Sequence, residues 1–149
     1  MTRLTWLFFL AMFPAALNAV AQSRETLWKR DSVQLLAELR KMVQQDQEAR
    51  SSSTKSVEDW KLVEQADAMR TRRMIEIIRT YGFPSLRRFK SRRGEFLVPY
   101  ILLVHSPKEY FATLRPILKA EKEAGRISPD EYAHIEWHLN GRVGSPAFE

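Results

Sequence analysis

Apolar residues recur at Leu35, Leu36, Leu39, Met42 and Val43, spacings that place them on one face of a helix spanning about Glu25 to Arg50. Continuing that face past Val43 by three, four and seven residues reaches Asp46, Gln47 and Arg50, so the stripe turns polar in its last turns. A second long pattern begins where Ser56 and Asp59 form a capping box with Asp in place of the usual Glu. Its stripe is Trp60, Val63, Met74, Ile77, Ile78 and Tyr81, with Asp67 and Arg70 at intervening core-facing positions. A carboxylate on such a stripe is costly to bury without a partner. Gly82 is placed to cap this helix in a left-handed conformation, and Pro84 stops it. Between the two patterns, the polar run from Arg50 to Lys55 has no periodicity and reads as a mobile loop.

The segment from Ser85 to Arg93 predicts a short helix with Leu86 and Phe89 facing inward. Glu95 to Val104 is apolar nearly all round, which predicts the most buried helix, kinked or started late by Pro99. Two matching helix starts follow, Ser106-Pro107-Lys108-Glu109 and Ser128-Pro129-Asp130-Glu131. The first opens a helix carrying Tyr110, Phe111, Leu114, Ile117 and Leu118, with a bend at Pro116. The second opens a helix that stops at Asn140-Gly141. The expected architecture is therefore all-α: one compact domain over 22–141, about five helices packed around Glu95–Val104, and a flexible tail over 142–149.

Residues 1–21 have a different character. Met1-Thr2-Arg3 gives a short positive start, Leu4 to Leu17 is almost unbroken apolar sequence, and Ala19-Val20-Ala21 has the small-x-small form of a signal-peptidase site. The apolar run is shorter than the ~20 residues a membrane-spanning helix needs, so a leader cleaved after Ala21 and a periplasmic or secreted product are expected. The chain has no cysteine, which excludes thiol nucleophiles, disulfides and thiolate metal sites. Its 149 residues carry a net charge of +6, but the charge is local. Arg70, Arg72, Arg73, Arg79, Arg87, Arg88, Lys90, Arg92 and Arg93 are opposed in that segment only by Glu76.

The order of several short motifs resembles a bacterial family catalogued as domain of unknown function number 6624. D-Q-x-x-R at Asp46, Gln47 and Arg50 is followed by Asp67 and by I-I-x-x-Y-G-F-P over 77–84. His105-Ser106, L-x-P-x-L over 114–118 and A-G-x-I over 124–127 then occur in the same order. The chain departs from the family pattern at four places. Arg70 stands where asparagine is usual, Phe83 where tryptophan is usual, and Glu136-Trp137 where Asp-Arg is usual. The chain also lacks the family's Tyr-Gly-Thr-Gln-like ending. The resemblance brings no assigned activity with it.

Three candidate sites emerge. Asp46, Asp67 and His105, with Gln47, Arg50 and Arg70, would suit acid–base chemistry or the grip of an anionic ligand. The simpler and preferred reading is that Asp46–Arg50 and Asp67–Arg70 are pairs local to each helix that fix how the two helices pack. His134 and His138, four apart on one helix, have chelating spacing, but no third ligand is evident and surface histidines are the simpler reading. The basic run of Arg79, Arg87, Arg88, Lys90, Arg92 and Arg93 would meet an acidic protein or an anionic lipid or envelope polymer. Nucleic acid is not expected as a partner of an exported protein, and the alternative is a solvated face. No metal or cofactor is expected. The preferred function is therefore non-enzymatic binding through the basic segment, with a small-molecule binder or hydrolase-like enzyme using Asp46, Asp67 and His105 as the alternative.

Overall fold

The structure, a computed structural model, describes residues 7–51, 55–89 and 97–146. The protein is all-α, and no strand occurs among the described residues. In chain order the helices are α1 (Leu7–Ser51), α2 (Val57–Tyr81), α3 (Ile101–Val104), α4 (Phe111–Glu123) and α5 (Pro129–Leu139), with a 3-10 turn at Lys108–Tyr110 before α4. The helix α1 runs unbroken through Ala21, the expected end of the leader. Among the described residues, no helix is long and apolar enough to cross a membrane.

The α1 and α2 stripes form the main seam. Leu35, Leu39 and Val43 on α1 join Met74, Ile77 and Ile78 on α2 in one buried core, and Val63 is buried nearer the start of α2. Trp60 departs from the expected stripe and is 48% exposed, because the buried seam begins one turn later at Val63. Trp28, which the stripe reading passed over, is buried against Phe89 with ring centroids 4.7 Å apart. The Ser56 box forms, with Ser56 Oγ accepting from the Asp59 N–H at 3.1 Å and the Asp59 carboxylate accepting from the Ser56 N–H at 2.9 Å.

The expected central helix over Glu95–Val104 is shorter than its apolar pattern. Pro99 delays the helix to Ile101, and Pro107 follows closely, so only one turn forms. Leu102, Leu103 and Val104 on that turn are buried. The core is therefore organised by the α1–α2 seam, with this turn inserted into it. Ser106 also differs from expectation. Its hydroxyl donates to the Leu103 carbonyl at 2.7 Å, closing α3 instead of capping the next helix. The matching Ser128 box does form and opens α5.

Gly82 ends α2 at φ 79° and ψ 173°, a region essentially reserved for glycine and not the left-handed helical cap expected. A Cβ there would lie 2.8 Å from the Arg126 side chain. The turn beyond it is held at both ends by buried carboxylates. Glu121 accepts the Phe83 N–H at 2.9 Å, and Glu131 accepts the Ser85 hydroxyl at 2.6 Å and the Leu86 N–H at 3.2 Å.

Candidate functional site

Stripe continuation brings the polar residues together. Asp46 lies on the α1 seam one turn after Val43, and Asp67 lies on the α2 seam one turn after Val63, so both carboxylates enter the same helix interface. Asp46 is fully buried and Asp67 is 6% exposed. His105 reaches them from the C-cap of α3, at the point where the chain leaves the buried turn.

The cluster crosses helices. One guanidinium nitrogen of Arg50 donates to Asp46 at 2.7 Å and the other donates to Asp67 on the neighbouring helix. Arg70 donates to Asp67 at 3.1 Å and lies 3.7 Å from Asp46. Gln47, otherwise exposed, donates its amide to Asp46 at 2.9 Å. His105 Nδ1 sits 3.1 and 3.0 Å from the two Asp46 oxygens. An ionised carboxylate only accepts, so Nδ1 carries the proton of this contact. Burial pushes the Asp46 carboxyl up, but the hydrogen bond and charge of His105, with Arg50 and Gln47, outweigh it and hold the group below its ordinary range. Two carboxylates and two guanidiniums balance without the imidazole. The pairs local to one helix exist, but Arg50–Asp67 and His105–Asp46 tie α1, α2 and α3 into one knot.

A second arrangement, not legible from spacing, braces the His105 segment from behind. His138 Nε2 contacts the Ser106 carbonyl at 2.8 Å, and Arg142 Nε donates to His138 Nδ1 at 3.1 Å. The carbonyl can only accept and the guanidinium can only donate, so His138 is the neutral tautomer protonated at Nε2. Burial pushes its pKa down, and the nearby Arg142 charge adds to this against the Ser106 hydrogen bond. Arg142 also donates to the Val104 carbonyl at 2.8 Å. His134 turns instead to the Asp130 carbonyl at 2.7 Å, so the two histidines face different partners. Among the described residues, no group of three or more His, Cys, Asp or Glu is placed to hold a metal.

The basic segment divides. Arg73 pairs with Glu38 and Glu76, and Arg70 belongs to the carboxylate cluster. Arg88 is committed to the fold. It donates to the Tyr81 and Phe83 carbonyls at 2.7 and 3.3 Å, pairs with Glu25 at 3.1 Å and lies 3.8 Å over the Trp28 ring. Arg72, Arg79 and Arg87 are exposed. Lys90, Arg92 and Arg93 lie outside the described residues.

Three clefts among the described residues are lined by other side chains than the Asp46 cluster. One of about 640 Å³ is bordered by Arg87, Tyr100, Glu131 and His134, and one of about 290 Å³ by Arg24, Arg79, Glu121 and Arg126. A third, of about 150 Å³, lies between α4 and α5 beside Arg115 and Glu136. The buried acids Glu121 and Glu131 escaped sequence reasoning. Glu131 was visible as the acid of the Ser128 capping box, but its grip on the distant Ser85 turn was not. Comparison with protein-family models, with curated proteins and with solved structures gives no match.

Proposed function

We propose that the protein is an exported, non-enzymatic binding protein that engages an acidic partner through exposed basic residues of its 70–93 segment, among them Arg72, Arg79 and Arg87. The observation that carries this reading is how the charged groups are used. The carboxylates of the central cluster are saturated by Arg50, Arg70, Gln47 and His105, so that cluster serves as a packing device. Arg79 and Arg87 are exposed and make no ion pair among the described residues. Unpaired surface guanidiniums favour association with carboxylate-bearing partners. Export rests on the leader pattern of residues 1–21. The test is capture of partners from envelope extract by the mature chain and by an Arg79→Glu/Arg87→Glu variant. The reading requires loss of the captured proteins by the variant; equal recovery by both would sink it.

A second reading is favoured by one specific feature. With Nδ1 held by Asp46, His105 Nε2 makes no hydrogen bond among the described residues, and the side chain is 16% exposed. A carboxylate-oriented imidazole with its other nitrogen free is the arrangement of a general base. Small-molecule turnover or binding that is lost in His105→Gln while the fold is retained would favour this reading over the first.

A further inference from the structure

Three guanidiniums gather where α1, α2 and α4 meet. Arg24, Arg79 and Arg126 border a shallow groove of about 290 Å³ whose aliphatic lining is Pro116, Ile117 and Ala120, with Ile78 buried beneath it. The acid among them, Glu121, is 2% exposed and turned inward. Its oxygens accept from Arg126 at 2.6 and 2.8 Å and from the Phe83 N–H at 2.9 Å, while Arg24 reaches it only at 3.4 Å. One carboxylate thus faces three guanidiniums. Arg126 is fully engaged, Arg24 is loosely held, and Arg79 is exposed without an ion pair among the described residues. Neighbouring Arg88 has its pKa pushed down by burial, against the pull of Glu25, with the Arg126 charge a lesser contribution.

Positive charge beside aliphatic wall selects a ligand with both characters. A bare phosphate would use the guanidiniums and leave Pro116, Ile117 and Ala120 wet, whereas a carboxylate on an aliphatic body uses both. The volume lies at the small end of ligand pockets, which start near ~300 Å³, and so suits one or two side chains. We infer that this groove receives an acidic residue flanked by an aliphatic one from a protein partner. The carboxylate inserts between Arg24 and Arg79, and the aliphatic side chain lies on Pro116, Ile117 and Ala120. This inference rests on the binding function proposed above and gives that function a location.

The probe is a blocked peptide of alternating leucine and glutamate, titrated into the isotope-labelled mature protein and followed by amide chemical shifts. The matching leucine–glutamine peptide and vesicles of phosphatidylglycerol serve as comparisons. Shifts should centre on Arg79, Ile117 and Ala120. Arg79→Glu should weaken binding by about tenfold or more, and Arg87→Glu, on the separate larger cleft, should leave it within about twofold. Arg79 is exposed and makes no side-chain hydrogen bond or ion pair among the described residues, so this variant is expected to fold. Equal binding of the glutamine peptide, shifts elsewhere, or indifference to Arg79→Glu would overturn the inference. So would binding of the vesicles without the peptide. If the peptide ignores the groove while the double variant still loses its envelope partners, the groove is wrong and the binding function stands. If those partners are retained as well, both fail.

Discussion

His105 Nδ1 lies within 3.1 Å of both carboxylate oxygens of Asp46, joining the end of the buried α3 turn to the end of the α1 stripe. That contact closes a cluster in which every charged member has a partner on another helix or one turn away. Its consequences for stability follow from burial.

Removing Asp46 leaves Arg50 and Arg70 sharing one carboxylate at a mostly buried helix interface. Breaking one partner out of such a buried arrangement costs about 3–5 kcal/mol. Asp46→Ala is expected to lose that much in urea denaturation, and Gln47→Ala, on the exposed side, well under half of it.

The pH dependence has a definite sign. Burial raises the carboxyls of Asp46 and Glu121, but hydrogen bonds and cations outweigh it, His105 first at Asp46 and Arg126 first at Glu121. Both folded values therefore lie below the unfolded ones, near ~4. In that window the unfolded chain binds more protons, so stability is fully present above the unfolded values and is lost as pH falls through the folded ones. Urea midpoints should drop steeply below about pH 4, and the drop should shrink in Asp46→Asn and in Glu121→Gln.

His138 adds a separate limb at higher pH. Its folded pKa is depressed by burial, so the unfolded chain protonates first as pH falls below about 6.5. Stability is expected to decline from there until the folded group titrates too. His138→Gln retains a donor toward Ser106 and cannot titrate; it should flatten this limb in midpoints measured between neutral pH and the acid drop.

Thr71 is fully buried, and its hydroxyl has no hydrogen-bond partner among the described residues. A buried unpaired hydroxyl costs about 1–3 kcal/mol. Thr71→Val keeps the shape and removes that cost, so its thermal midpoint should match or exceed wild type. A clear loss would mean that the hydroxyl has a partner in solution.

At Gly82, alanine would meet both a positive φ and the Arg126 side chain. The expected loss is about 1–3 kcal/mol, read from the same urea titration. Arg126→Ala is itself costly because it strips buried Glu121 of its main partner, so the steric part is read as the coupling between Gly82→Ala and Arg126→Ala in a double-mutant cycle.

Much of the helical order was legible in residue spacing, because an amphipathic helix records its buried face at three- and four-residue intervals. The same continuation placed Asp46 and Asp67 in the seam, and capping chemistry located the starts of α2 and α5. Where spacing failed, a competing local interaction had intervened. Trp60 repeats the stripe but precedes the seam. The Glu95–Val104 pattern was long enough for a helix, but Pro99 and Pro107 left it one turn. Ser106 had the residues of a cap and spent its hydroxyl on Leu103.

By itself, the sequence determined the all-α class, the polar ends of the two long stripes and the concentration of arginine between residues 70 and 93. Periodicity, composition and charge are properties of neighbouring positions. Only the tertiary structure decided which charges were already used. Arg88 faces Glu25 across 63 residues and lies over Trp28, and Glu121 is filled by Phe83 and Arg126. A guanidinium satisfied by a distant carboxylate and one left to solvent have the same local sequence signature. Their difference lies in contacts between segments that only folding brings together.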